Sequence, residues 1–226
     1  MVDCIQKEGG MLDKFIGDAI MAVFGTPLAH EDDPDRAMRS AIRMMRELAV
    51  FNRERTEVGL KPIDIGIGLN TDGVVSGNIG SPKRMDYTVI GDGVNLAARL
   101  ESACKEYGAN ILVSQHTVDQ LRGTYRLREV DSVVVKGKSE PVRIYEVLDF
   151  HSEQTFPGMG GVLDQFRRGL ELYRAGYWDA AGTSFQDILR QFPGDRAAQL
   201  YVRRCEHLKL HPPVGEWDGV WVMDHK

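Results

Sequence analysis

The sequence predicts an α/β sandwich followed by a small all-α extension. Three features predict it: apolar runs paired across turn residues, helical apolar spacing between those runs, and a wholly helical periodicity beyond residue 161. Residues 11–25, MLDKFIGDAIMAVFG, are two short strands around a Gly-Asp turn. Asp33-Pro34 supplies an N-cap with proline at the first helical position, and Met38, Ile42, Met45 and Ala49 follow at helical spacing, so residues 34–55 form an amphipathic helix. Its methionines are expected to fill core. Residues 63–70, IDIGIGLN, alternate with period two, and a turn at Thr71-Asp72-Gly73 into VVSGNIG predicts a second hairpin. Gly-Asp-Gly opens a helix over 91–106; 110–114 is a strand and 115–122 a short helix. Residues 126–136 and 142–149 are two strands around the turn KGKSEP. The sheet is expected to be largely antiparallel, with helices on one or both faces.

Residues 151–161, HSEQTFPGMGG, have the composition of a linker between a domain at 1–150 and helices at 162–211. Gly169, Ala181, Phe185 and Pro193 stand at the spacings of one tetratricopeptide-like helix–turn–helix, with 195–210 as a further capping helix. A single repeat cannot bury its own face. It must pack on the preceding domain, a second subunit or a protein partner. Trp217 and Trp221 in the tail 212–226 are expected to dock rather than stay exposed.

The chain has 226 residues, 42% hydrophobic and 27% charged, with a formal net charge of -5. An acidic chain is a poor generic ligand for nucleic acid or an anionic membrane, so positive charge for a polyanionic substrate must be local. Three widely spaced cysteines, Cys4, Cys104 and Cys205, without a C-x-x-C, argue against a disulfide framework or a zinc site and fit a reducing cytoplasm. There is no run of 18 apolar residues and no signal-peptide pattern.

On local grounds the polar residues are ordinary. Asp18 suits a hairpin tip, Lys14 is a surface lysine, and Asn95 and Arg99, four apart, share one helix face. The segment RMDYTVIGDGVNLAARL (84–100), with DKFIGDAIMAVFG and VVVKGKSEP in the same order and spacing, changes their weight. Together they resemble the class III adenylate/guanylate cyclase catalytic domain, nearest to the cyanobacterial-type, bicarbonate-responsive adenylate cyclases, over residues 1–149.

The resemblance implies a ferredoxin-like class III cyclase sandwich that converts ATP to cyclic AMP and pyrophosphate. It implies Asp18 as a carboxylate for Mg²⁺ or Mn²⁺, two ions in the complete domain. Lys14 would donate to an adenine ring nitrogen, where guanine-specific members carry glutamate. Thr88 would be its base-reading partner, in place of the commoner aspartate; a hydroxyl there can donate as readily as accept. Asn95 would orient the ribose, Arg99 would meet the α-phosphate, and Lys136 would bind pyrophosphate, with Lys138 second to it. In the family, sites form between two catalytic domains, so a head-to-tail homodimer is expected. The family's opening strand, with its second metal carboxylate, has no counterpart after Met1, which gives the chain the look of a C-terminal fragment. Asp3 and Asp13 are not expected to substitute, Asp13 because strand alternation turns it away from Lys14. A non-catalytic dimerisation or regulatory module and a guanylate cyclase are the competing functions.

Overall fold

The computed structural model describes residues 1–134, 141–215 and 217–221. A short helix α1 (Val2–Lys7) leads into the hairpin β1 (Met11–Ile16) and β2 (Ala19–Val23). Gly17 turns that hairpin at φ +63°, a left-handed conformation that suits glycine. Helix α2 (Asp33–Glu57) starts one residue earlier than its proline signal predicts, with Asp32 at the N-cap and Pro34 in the first turn. It buries Met38, Ala41, Ile42, Met45 and Leu48, so Met38 and Met45 are core, whereas Met44 is only partly buried.

The second hairpin differs from expectation. Strand β3 is only Ile67–Leu69, and it pairs in parallel with β6 (Ile111–Ser114). Strand β4 (Val75–Ser81) instead pairs with β5 (Arg84–Ile90) across Pro82-Lys83, with Thr88 opposite Gly77. The reason lies in the glycines of IDIGIGLN. A Cβ at Gly68 would lie 2.2 Å from the Ala97 carbonyl oxygen, and one at Gly66 would lie 2.9 Å from Cys104 Cβ. These two residues let β3 press its backbone against helix α3 (Asp92–Tyr107), which holds β3 at the edge of the main sheet.

That sheet has four strands in the order β3-β6-β8-β7, with α4 (Gln115–Val118) following β6, then β7 (Leu127–Val134) and β8 (Pro141–Val147). The β1–β2 and β4–β5 ribbons are separate two-stranded sheets. Side chains alternate across the main sheet. Ile111, Val113 and Val147 face α2, whereas Leu112, Val142 and Ile144 face α3 and the C-terminal helices.

Those helices are α5 (Met159–Arg174), α6 (Trp178–Gln191) and α7 (Arg196–Leu210). Gly169 and the fully buried Ala181 let the first two approach closely; a Cβ on Gly169 would meet the Phe185 ring at 2.9 Å. The helices pack on the sheet and on α3 in one continuous apolar cluster. The segment 151–161, expected as a linker, is packed. Phe156 is buried and stacks on Phe192 with ring centroids 4.6 Å apart, and α5 already begins at Met159. Trp217 donates from Nε1 to the Tyr173 carbonyl at 3.2 Å, and Trp221 lies over the Arg204 guanidinium.

Charged groups stitch this interface. Arg128 on β7 bonds Glu146 on β8 and Asp195 at the N-cap of α7. Arg204 on α7 donates to Asp131 at 2.6 Å, and Tyr107 of α3 donates to the same carboxylate oxygen at 2.6 Å. A bulge between Glu129 and Asp131 aims that carboxylate at the helices.

Candidate functional site

The predicted site residues fall on the two ribbons and on α3. Asp18 sits at the tip of the β1–β2 hairpin, exposed. Asn95 and Arg99 lie one turn apart on the exposed face of α3. The start of that helix is clamped. Asn70 Nδ2 donates to the Gly93 carbonyl at 3.0 Å, and a Cβ at Gly93 would lie 2.5 Å from Asp72 Cβ. Asp18, Asn95 and Arg99 make no side-chain hydrogen bond or ion pair among the described residues, so their polar groups are available to a ligand. Lys136 and its alternative Lys138 lie outside the described residues.

Lys14 and Thr88, which are far apart in sequence, do come together. The agent is Asp13. The register of β1 against β2 slips between Leu12 and Lys14, so Asp13 is the extra residue of a β-bulge. The bulge breaks the alternation that was expected to turn Asp13 away from Lys14. Thr88 Oγ1 donates to Asp13 Oδ2 at 2.9 Å, and Lys14 Nζ lies 3.3 Å from the same oxygen. The Asp13 side chain is 0% exposed, Thr88 is buried, and Lys14 keeps about two fifths of its side chain in solvent, with 41% exposed. The other Asp13 oxygen, Oδ1, is buried without a hydrogen-bond partner. Asp13 is the residue that alternation misjudged. A bulge leaves no trace in a period-two pattern, so no sequence signal marks it.

Cys104 and Cys205 are free and buried, and burial pushes both thiols up to about 12, which makes them poor nucleophiles or metal ligands. No group of three His, Cys, Asp or Glu side chains that could cage a metal occurs among the described residues.

Residues 4–149 match the family model of the adenylate and guanylate cyclase catalytic domain. The terminal-differentiation-specific adenylate cyclase of Dictyostelium discoideum is 38% identical over 205 residues, 89% of this chain and 10% of that protein. That match is longer than residues 4–149, so it includes part of the C-terminal helices. The adenylate cyclase of Anabaena cylindrica is 44% identical over 154 residues, 65% of this chain and 30% of its own length. The chain thus spans well under half of either relative. Among solved structures, the adenylyl cyclase CyaB from P. aeruginosa superposes with a TM-score of 0.59 at 37% identity, covering 69% of this chain and 79% of that one. The guanylyl cyclase Cya2 does so with 0.56 at 38% identity, covering 65% and 73%. With the family model matching well over half of its residues, this chain belongs to the adenylate and guanylate cyclase catalytic-domain family.

Proposed function

We propose that the chain is an adenylate cyclase unit. The ribose 3′-oxygen of ATP would attack the α-phosphorus, forming the cyclic ester as the bond to pyrophosphate breaks and the 3′-hydroxyl proton leaves. The observation that carries this reading is the convergence of Lys14 and Thr88 on Asp13. A cationic donor beside a hydroxyl held by a carboxylate is a pair of groups fit to read a purine edge. Lys14 at the position of the base-reading lysine favours adenine, and the relatives named above include two adenylate cyclases.

Asn95 and Arg99 would act on the sugar and the α-phosphate. Both are unpaired and share one face of a helix whose start is fixed, so they are preorganised for charge that develops on the phosphate. Lys136 would take pyrophosphate. Asp18, exposed and unpaired, fits one hard oxygen ligand of Mg²⁺ or Mn²⁺ in an open site that shares its remaining positions with water and phosphates. Such an ion, when bound, would neutralise phosphate charge.

A second copy of the chain is the partner this reading requires. Phe15, Ile16, Met85, Tyr87 and Ile90 expose large apolar surfaces on the ribbons beside Lys14 and Thr88, with Phe15 61% exposed. The C-terminal helices would form a tetratricopeptide-like unit whose outer face is left for a protein partner. Among the described residues no helix is long and apolar enough to cross a membrane, and a cytoplasmic site of action fits the reading.

The test is cyclic AMP formation from ATP with Mn²⁺ or Mg²⁺, in the wild type and in Asp18→Ala and Arg99→Ala chains. Each variant alone should lose about 10²–10³ in rate. Mixing the two should restore part of the activity, because a head-to-tail dimer then holds one site built from intact halves. Failure of mixing would place both residues in one chain's site. A second reading, a dimerisation or regulatory module, is favoured by the lack of a metal-caging cluster among the described residues. It predicts no cyclic nucleotide from ATP or GTP with either metal.

A further inference from the structure

The bulge at Asp13 bears on which purine the site accepts. A threonine hydroxyl left free can donate or accept, so by itself it reads a base poorly. Here it is not free. An ionised carboxylate accepts only, so Thr88 must direct its proton to Asp13 Oδ2, 2.9 Å away. What Thr88 then presents outward is lone pairs. The same carboxylate holds the Lys14 ammonium 3.3 Å away, as a donor beside that acceptor. An acceptor next to a donor matches a 6-aminopurine, which offers an amino N–H and a ring-nitrogen lone pair. A 6-oxopurine in the same pose offers the reverse at both positions. Asp13 itself is fully covered, so it acts through its neighbours. Its other oxygen, Oδ1, is buried without a hydrogen-bond partner.

We propose that Asp13 is the positioning residue for base specificity, locking the Thr88 hydroxyl as an acceptor beside the Lys14 donor so that the site takes a 6-aminopurine nucleotide and rejects a 6-oxopurine. The proposal rests on the assignment of Lys14 and Thr88 as base readers. Without Asp13 the hydroxyl is free to turn its proton outward, toward the oxygen of a 6-oxopurine.

The experiment is competition of ATP and of GTP against a fluorescent ATP analogue bound to the full chain, a readout that needs no turnover. The wild type, Asp13→Leu, Asp13→Ala and Thr88→Val are compared, with thermal unfolding measured for each. The expected result is preference for ATP in the wild type and a fall of about tenfold in the ATP-to-GTP affinity ratio in Asp13→Ala, part of it from a gain in GTP affinity. A merely structural lesion would weaken both nucleotides alike, and that outcome overturns the proposal. If both Asp13 variants keep the wild-type ratio while Thr88→Val shifts it, Asp13 does not position Thr88, and the base-reading assignment stands. If the wild type shows no preference, or Thr88→Val leaves the ratio unchanged, the base-reading assignment falls and this proposal with it. Should Asp13→Ala not fold, the near-isosteric Asp13→Leu decides, because it can neither accept from Thr88 nor donate to it.

Discussion

Among the described residues two strands carry a bulge, and at each an aspartate turns inward, Asp13 as the extra residue of β1 and Asp131 beside Val130, the extra residue of β7. Both side chains are almost wholly covered. Their surroundings differ. Asp131 uses both oxygens: Oδ2 accepts from Tyr107 and Arg204, and Oδ1 from the Ser132 backbone N–H. Asp13 uses one oxygen for Thr88 and Lys14 and leaves the other without a partner. Asp131 is buried between α3 and α7, whereas Asp13 lies in a ribbon whose neighbours Phe15 and Ile16 are open to solvent. The same backbone device thus serves two ends. Where the carboxylate is saturated and deep, it joins the helices to the sheet. Where it is incompletely bonded and close to exposed polar groups, it is poised to shape a ligand site.

The largest effect should come from Asp131→Ala. It would take from the Arg204 guanidinium its partner at 2.6 Å and leave it only Glu106 at 3.4 Å; burial disfavours that guanidinium, and Asp131 holds it in its charged form with its pKa raised. Breaking such a buried pair should cost about 3–5 kcal/mol in a denaturant titration. A loss no larger than that of a surface substitution would show that the helices do not depend on this contact.

Asp35 gives an intermediate case with a pH signature. It is buried, and it accepts from the backbone N–H groups of Arg122 and Gly123 at 3.0 and 2.8 Å and from the Tyr125 hydroxyl at 2.9 Å. Burial alone would raise its pKa, but these three donors outweigh burial and lower it below 3.8. Its contribution to stability is therefore present above that value and lost as pH falls through the lowered one. The Tm gap between wild type and Asp35→Asn should be full at neutral pH and should close in acid. A gap independent of pH would deny the carboxylate this role.

The smallest effect on stability belongs to Asp13→Ala, about 1 kcal/mol or less, because it removes one hydrogen bond and one unsatisfied oxygen together. A loss as large as that of Asp131→Ala would make the two bulges equivalent and Asp13 a structural residue.

Much of this was legible in the sequence. The Gly-Asp turn set the first hairpin, Asp-Pro and the spacing of Met38, Ile42 and Met45 set α2, and Gly-Asp-Gly opened α3 with Asn95 and Arg99 on one face. The three cyclase-like segments pointed to the family that the comparisons show. These features are local. Turn residues, caps and periodicity act within a few positions, so the chain declares them wherever it is read.

Other features were decided only by the tertiary structure. Strand β3 found β6, far along the chain, rather than β4 beside it, because Gly66 and Gly68 admit the backbone of α3. A segment with a linker's composition became core when Phe156 met Phe192. Arg128, Glu146 and Arg204 look like solvated charges in sequence and are buried among partners that lie on other elements. Asp13 was expected to face away, and one inserted residue of bulge brought it to Thr88 and Lys14. Local chemistry fixes which elements form, but strand partners, bulges and buried charge pairs depend on which distant backbones can approach, and that is settled only when the surfaces close on one another.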